Sequence, residues 1–185
     1  MNLRIAAVAA VGLAVAMALS VGGCRSSKVS RTGNAEFVIL KPTSGSTVTG
    51  TAVFRRLEGK WIHLRVEIAG ATPGVHAVHI HEFGDCSSPD GKSAGGHWNP
   101  TGKSHGKWGA IGGEFHLGDL GNIEVGADGT GYLVRTSDLW EIGGTTLNDV
   151  LGKSIIVHEG ADDFVSQPTG NAGGRVACGE ILRRR

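Results

Sequence analysis

Trp61-Ile62-His63-Leu64-Arg65-Val66-Glu67-Ile68 is the stretch whose reading decides the fold. Leu64, Val66 and Ile68 fall on one face, and His63, Arg65 and Glu67 on the other. That two-residue period belongs to a strand with one side in a core and one in water. His63, on the polar side, reads as a solvated strand histidine. Upstream, residues 48–56 and 36–40 (Glu36-Phe37-Val38-Ile39-Leu40) read as two more strands, separated by turns at 41–46 and 57–60. Three strands joined by short turns predict an antiparallel meander, hence an all-β sandwich or barrel. Downstream, residues 75–82, 123–125, 131–135, 153–158 and 175–182 read as further strands, with a turn at Asp128-Gly129 and a short helical turn at 147–150. No amphipathic helix of any length is visible. The 31 glycines and five prolines fit many turns and short strands.

Between residues 83 and 121 the alternation vanishes, and eleven glycines accumulate. A loop that long in a domain of this size is functional more often than not. It is preceded by His79-Ile80-His81, in which the two histidines share one face and Ile80 takes the other. Two imidazoles on one pleated face can pinch a metal ion. The loop adds His97, His105, His116 and Asp119, and the strand at 153–158 ends in His158. Imidazole with one carboxylate and no nearby thiolate suits Cu(II) and Zn(II). A metal would also offset the entropy of ordering a loop without a core of its own. His76, three residues from His79, takes the opposite face and reads as a structural histidine bonded to backbone.

The 185 residues allow one domain after an N-terminal leader. Residues 1–23 read as a signal peptide: Arg4 is their one ionisable residue, residues 5–19 are apolar, and Gly22-Gly23-Cys24 follows. Small residues before a cysteine resemble a bacterial lipobox with Cys24 as the lipidated residue, although Val21 stands where leucine is commoner. An ordinary signal peptide cut nearby is the alternative. Residues 24–34 then form the lipid-bearing start and a polar linker, and 35–185 the domain. Setting Arg4 aside, 17 Lys+Arg stand against 17 Asp+Glu, which argues against a nucleic-acid surface. With Cys24 given to lipid, Cys86 and Cys178 remain in an exported domain and read as a disulfide, the alternative being two buried thiols. Arg183-Arg184-Arg185 reads as a solvated tail, the alternative being contact with anionic lipid.

The quoted residues resemble the copper/zinc superoxide dismutases. The likeness is carried by residues 74–85 (GVHAVHIHEFGD), Gly96-His97-Trp98-Asn99-Pro100, residues 116–122 (HLGDLGN), Val157-His158-Glu159 and residues 170–179 (GNAGGRVACG), in order within 35–182. It implies a Greek-key β-sandwich or flattened barrel of about eight antiparallel strands with two long functional loops. It implies one copper held by His79, His81, His97 and His158, and one zinc held by His97, His105, His116 and Asp119. His97 would bridge the metals and carry a proton. Arg175 would hold superoxide beside copper, Asp162 would orient a histidine of each metal, and Cys86 would pair with Cys178. The implied activity is disproportionation of superoxide to oxygen and hydrogen peroxide; with the leader and Cys24, the protein would be exported to the cell envelope or periplasm, lipid-anchored to a membrane, and would protect the envelope from extracytoplasmic superoxide. A homodimer is compatible with it. The loop between His158 and Arg175 departs from the animal cytosolic pattern: it is shorter and has no lysine, so steering of the anion falls to Arg175, the metals and charges elsewhere. Trp108 is an addition to the zinc loop, read as packing within it rather than as an interface anchor. A binuclear zinc hydrolase is disfavoured because no helices are present to build its layered fold. The remaining alternative is a non-catalytic copper/zinc-binding envelope lipoprotein. Loss of a copper histidine or of Arg175 would favour it, and all are present.

Overall fold

The described residues form eight antiparallel strands: β1 (Ala35–Pro42), β2 (Thr49–Arg56), β3 (Ile62–Ala69), β4 (Gly74–His81), β5 (Asp119–Val125), β6 (Gly131–Ser137), β7 (Lys153–His158) and β8 (Arg175–Ile181). This computed structural model describes residues 35–183, so the signal peptide, Cys24, the linker before Ala35 and the last two arginines lie outside the described residues. The strand order is β5-β4-β7-β8-β1-β2-β3-β6. Non-consecutive strands lie side by side at β3–β6, β4–β7 and β8–β1, the crossovers of a Greek key. The ladder between β1 and β8 is short, Lys41 opposite Cys178 and Pro42 opposite Ala177, which marks the seam between two four-stranded halves. The end strands β5 and β6 are tied across the remaining gap by half-buried Arg135, whose Nε donates to Leu120 O at 2.7 Å. The result is a nearly closed barrel.

Alternation places the core. Ile62, Leu64, Val66 and Ile68 of β3 are buried, as are Ala52 and Phe54 of β2 and Val38 and Leu40 of β1. Packed against them from the other half are Val78, Ile80, Leu120, Ile123, Ile155 and Val157. Strand β4 breaks the one-sided pattern: from His76 to His81 every residue is buried. Its inner residues join the core, and its outer face is covered by the loops that follow β4 and β7. Trp140 closes one end of the core, with its indole N–H satisfied by Leu117 O at 3.0 Å. Trp108 packs on Phe115 and Trp140, with centroids 5.1 and 4.9 Å apart, so it serves the loop's own packing.

Two expectations are corrected. Residues 147–150 form no helical turn. Asp149 pairs with Glu141 in an isolated bridge, and its carboxylate accepts from Gly143 N–H and Leu151 N–H, so the backbone there is committed to a folded-back loop. Among the described residues the one short helix is a 3-10 turn at Lys92–Ala94, inside the long loop. Strand β5 also begins four residues before Ile123, at Asp119. Backbone ladder bonds need no apolar alternation, so Asp-Leu-Gly-Asn hides a strand that pairs with β4 from His79 to Gly74.

Candidate metal centre

The pleat of β4 turns His79 and His81 outward beneath the long loop. That loop returns along β4 and is pinned to it by backbone bonds. Ile80 N–H donates to Gly118 O at 2.8 Å, Trp98 N–H to Ile80 O at 2.8 Å, and Glu82 N–H to Gly96 O at 3.0 Å. The pinning sets His97 opposite His81. His158 comes from the end of β7, where the register with β8 shifts by a bulge, and Asp119 from the start of β5. Two buried groups result: His79, His81, His97 and His158, and His97, His105, His116 and Asp119. Within each, one donor atom per residue lies within 4.8 Å of the others. His97 belongs to both. His63, paired with Thr136 Oγ1 at 3.2 Å, and His76 belong to neither. His76 is held between backbone carbonyls, Nδ1 at 2.9 Å from His158 O and Nε2 at 2.8 Å from Thr72 O.

The ring nitrogens show which atoms are available. His79 Nδ1, His81 Nε2, His97 Nε2 and His158 Nε2 are buried without a polar partner, and His105 Nδ1 is buried with Asp119 Oδ2 3.0 Å away but outside hydrogen-bond geometry. The opposite nitrogen of each ring is engaged. His79 Nε2 meets Asp162 Oδ2 at 2.8 Å, His81 Nδ1 donates to Gly95 O at 2.9 Å, and His97 Nδ1 lies 2.8 Å from Asp119 Oδ1. His105 Nε2 meets Asp162 Oδ1 at 2.9 Å, and His158 Nδ1 faces Gly173 O at 3.4 Å. Each buried orphan costs on the order of 1–3 kcal/mol. Orphans that converge are accounted for by a cation that accepts their lone pairs. His105 Nδ1 and His116 Nδ1 close on Asp119 at 3.0 and 3.1 Å, which completes the second group. Nitrogen with one carboxylate oxygen is a donor set that copper and zinc accept. Thiolates are absent from it, because Cys86 and Cys178 form a disulfide with Cα atoms 5.8 Å apart.

Electrostatics keep most of these rings neutral, the form that ligates. Burial lowers His79, and it lowers His81 and His158 well below the ordinary imidazole value, with neighbouring rings adding to the effect in the latter two. Burial, with His79 close by, takes His97 to about 4. His105 goes the other way: burial acts to lower it, but Asp119 and Asp162 outweigh burial and raise it to about 9. Both carboxylates sit well below the usual range, because the histidines that donate to them override their own burial.

Asp162 therefore touches one ring of each group. Its backbone is fixed by Asn122, which accepts Asp162 N–H at 2.8 Å and donates to Asp162 O at 3.0 Å. Arg175 reaches the first group through the backbone beside it. Its Nη1 and Nη2 donate to Gly91 O and Gly95 O, each at 2.6 Å, the carbonyls on either side of the 3-10 turn. Gly95 O thus serves both Arg175 and His81. Burial lowers the guanidinium from its ordinary value and Asp90 opposes this. Arg175 lines an open recess of ≈ 690 Å³ with Gly174, Glu159, Asp90 and Lys92.

Asn122, Gly95 and Gln167 are site residues that sequence reasoning missed. Gln167 accepts from His105 N–H at 2.8 Å across 62 positions, a contact without any local signal.

The family model described as copper/zinc superoxide dismutase matches residues 48–181. A superoxide dismutase (Cu-Zn) from Onchocerca volvulus is 41% identical over 148 residues, covering 74% of this chain and 90% of that protein. Two crystal structures of an SOD-like protein from Bacillus subtilis, one of them of a double mutant, resemble the chain with TM-scores of 0.70. The double mutant is 34% identical and the other 33%; each likeness covers 80% of this chain, with 97% and 98% of the respective relative.

Proposed function

The chain belongs to the copper/zinc superoxide dismutase family, and from that premise we propose the roles of its site residues and its place in the cell. It is an enzyme that converts two superoxide anions and two protons to oxygen and hydrogen peroxide, with copper and zinc as cofactors. The observation that carries the assignment of roles is the set of orphaned ring nitrogens. His79 Nδ1, His81 Nε2, His97 Nε2 and His158 Nε2 would hold copper, and His97 Nδ1, His105, His116 and Asp119 would hold zinc. When bound, copper supplies one-electron exchange and zinc a fixed, redox-silent charge.

The chain's own residues do the rest. Arg175, braced by Gly91 O and Gly95 O, holds superoxide at the mouth by charge and N–H donation. His97 Nε2 can hold a proton and release it to the reduced product. Asp162 keeps His79 and His105 turned so that their Nδ1 atoms face inward. The disulfide ties the loop that carries Gly91 and Gly95 to β8, the strand that carries Arg175.

The location belongs to the same proposal. Residues 1–23 act as a lipoprotein signal peptide, Cys24 carries lipid, and the domain protects the envelope from the periplasmic side of a membrane. A homodimer is included. Exposed Ile39 and Leu182 beside the disulfide would be the apolar anchors for a second copy, in a recess otherwise lined by Lys41, Ser87, Ser88 and Glu180. Purification of the mature chain tests the whole reading. About one copper and one zinc per chain, superoxide removal lost in His158→Ala and weakened in Arg175→Ala, and a lipid-sized mass increment on Cys24 are expected. A fully metallated chain that leaves superoxide untouched contradicts the assignment of roles. An unmodified Cys24 contradicts the anchor alone, and a monomer in sedimentation the dimer alone.

A further inference from the structure

We propose that Gln167 is a positioning residue for His105, so that the 159–174 loop acts as a latch setting how firmly zinc is held. This rests on the zinc assignment above. The Gln167 side-chain amide meets both backbone groups of one residue. Its Oε1 accepts His105 N–H at 2.8 Å, and its Nε2 donates to His105 O at 2.9 Å. That is the pairing a neighbouring strand would offer, made here by a single side chain in a stretch with no strand. The same Nε2 donates to Val165 O at 3.2 Å, which ties the grip to the loop's own backbone.

The loop takes hold of His105 a second time through its ring. Asp162 Oδ1 lies 2.9 Å from His105 Nε2. Backbone and ring are thus both fixed from residues 162–167, and Nδ1 is the ring atom left for a metal. Gly170 lets the loop close over this point. Its φ is +67°, and a Cβ there would collide with Asp162 Oδ1 and stand 2.6 Å from His105 Nε2. The base beneath Gln167 is firm, because Asp163 Oδ1 accepts Val165 N–H and Ser166 N–H, and Gly170 N–H donates to Ser166 O.

The other zinc-side ligands are oriented differently. His116 N–H and Gly106 N–H both donate to Asp119 Oδ2, and the His97 ring lies against Asp119 Oδ1, all within the first loop and β5. His105 is the ligand of that group whose backbone is held from the second loop. Residues that orient a ligand typically change metal affinity by about 10–100-fold when removed.

The test is metal affinity of the mature, disulfide-bonded chain. Zinc is measured by competition with a chromophoric chelator, and site geometry by the visible absorption of Co(II) in its place. Gln167→Ala is expected to lose zinc affinity by about ten-fold and to weaken or shift the tetrahedral cobalt bands. Gln167→Glu has the same size but replaces the Nε2 donor with an oxygen facing His105 O, and is expected to lose at least as much. A residue that only filled space would tolerate that change. Val165→Ala, on the same loop with an exposed side chain, is expected to match the wild type. Circular dichroism checks that all variants keep the fold. If wild type takes up neither zinc nor Co(II), the zinc assignment falls and this inference with it. If wild type binds both and the two Gln167 variants match it in affinity and spectrum, the positioning role alone is overturned.

Discussion

Strand β3 and the loop spanning residues 82–118 are both ordered, but by different means. Every residue from Ile62 to Ile68 pairs with β2 on one side and β6 on the other, and every second side chain enters the core. The loop has no such ladder. It is held at separate points: a disulfide, the Ile80 backbone, the Arg175 guanidinium, and rings that converge on two candidate metal positions. The barrel's order is spread over many equivalent contacts, and the loop's is concentrated in a few that also carry the chemistry. Damage to the barrel should therefore appear as lost stability, and damage to the loop as lost metal and activity.

The sharpest separation is expected from His158→Ala, which removes one nitrogen of the four-histidine group while leaving the core untouched. Superoxide removal should fall more than about a hundred-fold, beyond the usual effect of losing a residue that merely orients a ligand. The far-UV circular dichroism of the barrel should stay as it is. A drop of ten-fold or less, on the order of an orienting residue's effect, would break the comparison.

Replacing Cys86 and Cys178 together by serine opens a covalent loop whose ends are 92 residues apart. Chain entropy predicts a loss of about 4–5 kcal/mol in unfolding stability, read from denaturant midpoints. Zinc retention should fall with it, because the loop loses its tie to β8. Phe54→Ala empties a fully buried site in the barrel and should cost about 3–5 kcal/mol. Below its midpoint, however, it should bind copper and zinc as the wild type does. Equal metal loss in both variants would show that barrel and loop are not separable.

The smallest effect concerns pH in the metal-free chain. His97 is lowered to about 4 in the fold, so the unfolded chain takes up its proton first as pH falls below about 6.5. Its contribution is present above 6.5 and lost on the way down to about 4. His105, raised to about 9, contributes fully below 6.5, and that contribution is lost as pH rises through 9. The melting temperature of the metal-free chain should therefore peak near pH 6.5 and decline on both sides. A flat profile from pH 4 to 9 would contradict the assigned environments.

What could be read from sequence follows the same division. The pleat placed Leu64, Val66 and Ile68 inward and His79 with His81 on one face, because a period of two survives without knowledge of neighbours. His63 and His76 could be set aside on strand-face grounds, and they stay outside both groups. Asp119 reads as loop because its strand is built from Asp, Leu, Gly and Asn, with no alternation to betray the ladder. Residues 147–150 looked helical for lack of any hint that Asp149 caps amides on both sides of itself. Gln167 to His105, Asn122 to Asp162 and Arg135 to Leu120 were invisible for one reason. Each is a side chain meeting backbone across 15 to 62 positions, and such contacts leave no pattern in the chain.

Stopped-flow decay of superoxide, followed as metals are added one at a time to the metal-free chain, tests the central claim most directly. The account predicts no acceleration with zinc alone. Rapid decay should begin when copper is added and saturate at about one copper per chain, with His158→Ala failing to respond to either metal. Equal activity with zinc alone, or a fully copper- and zinc-loaded chain that leaves superoxide to decay on its own, would contradict it.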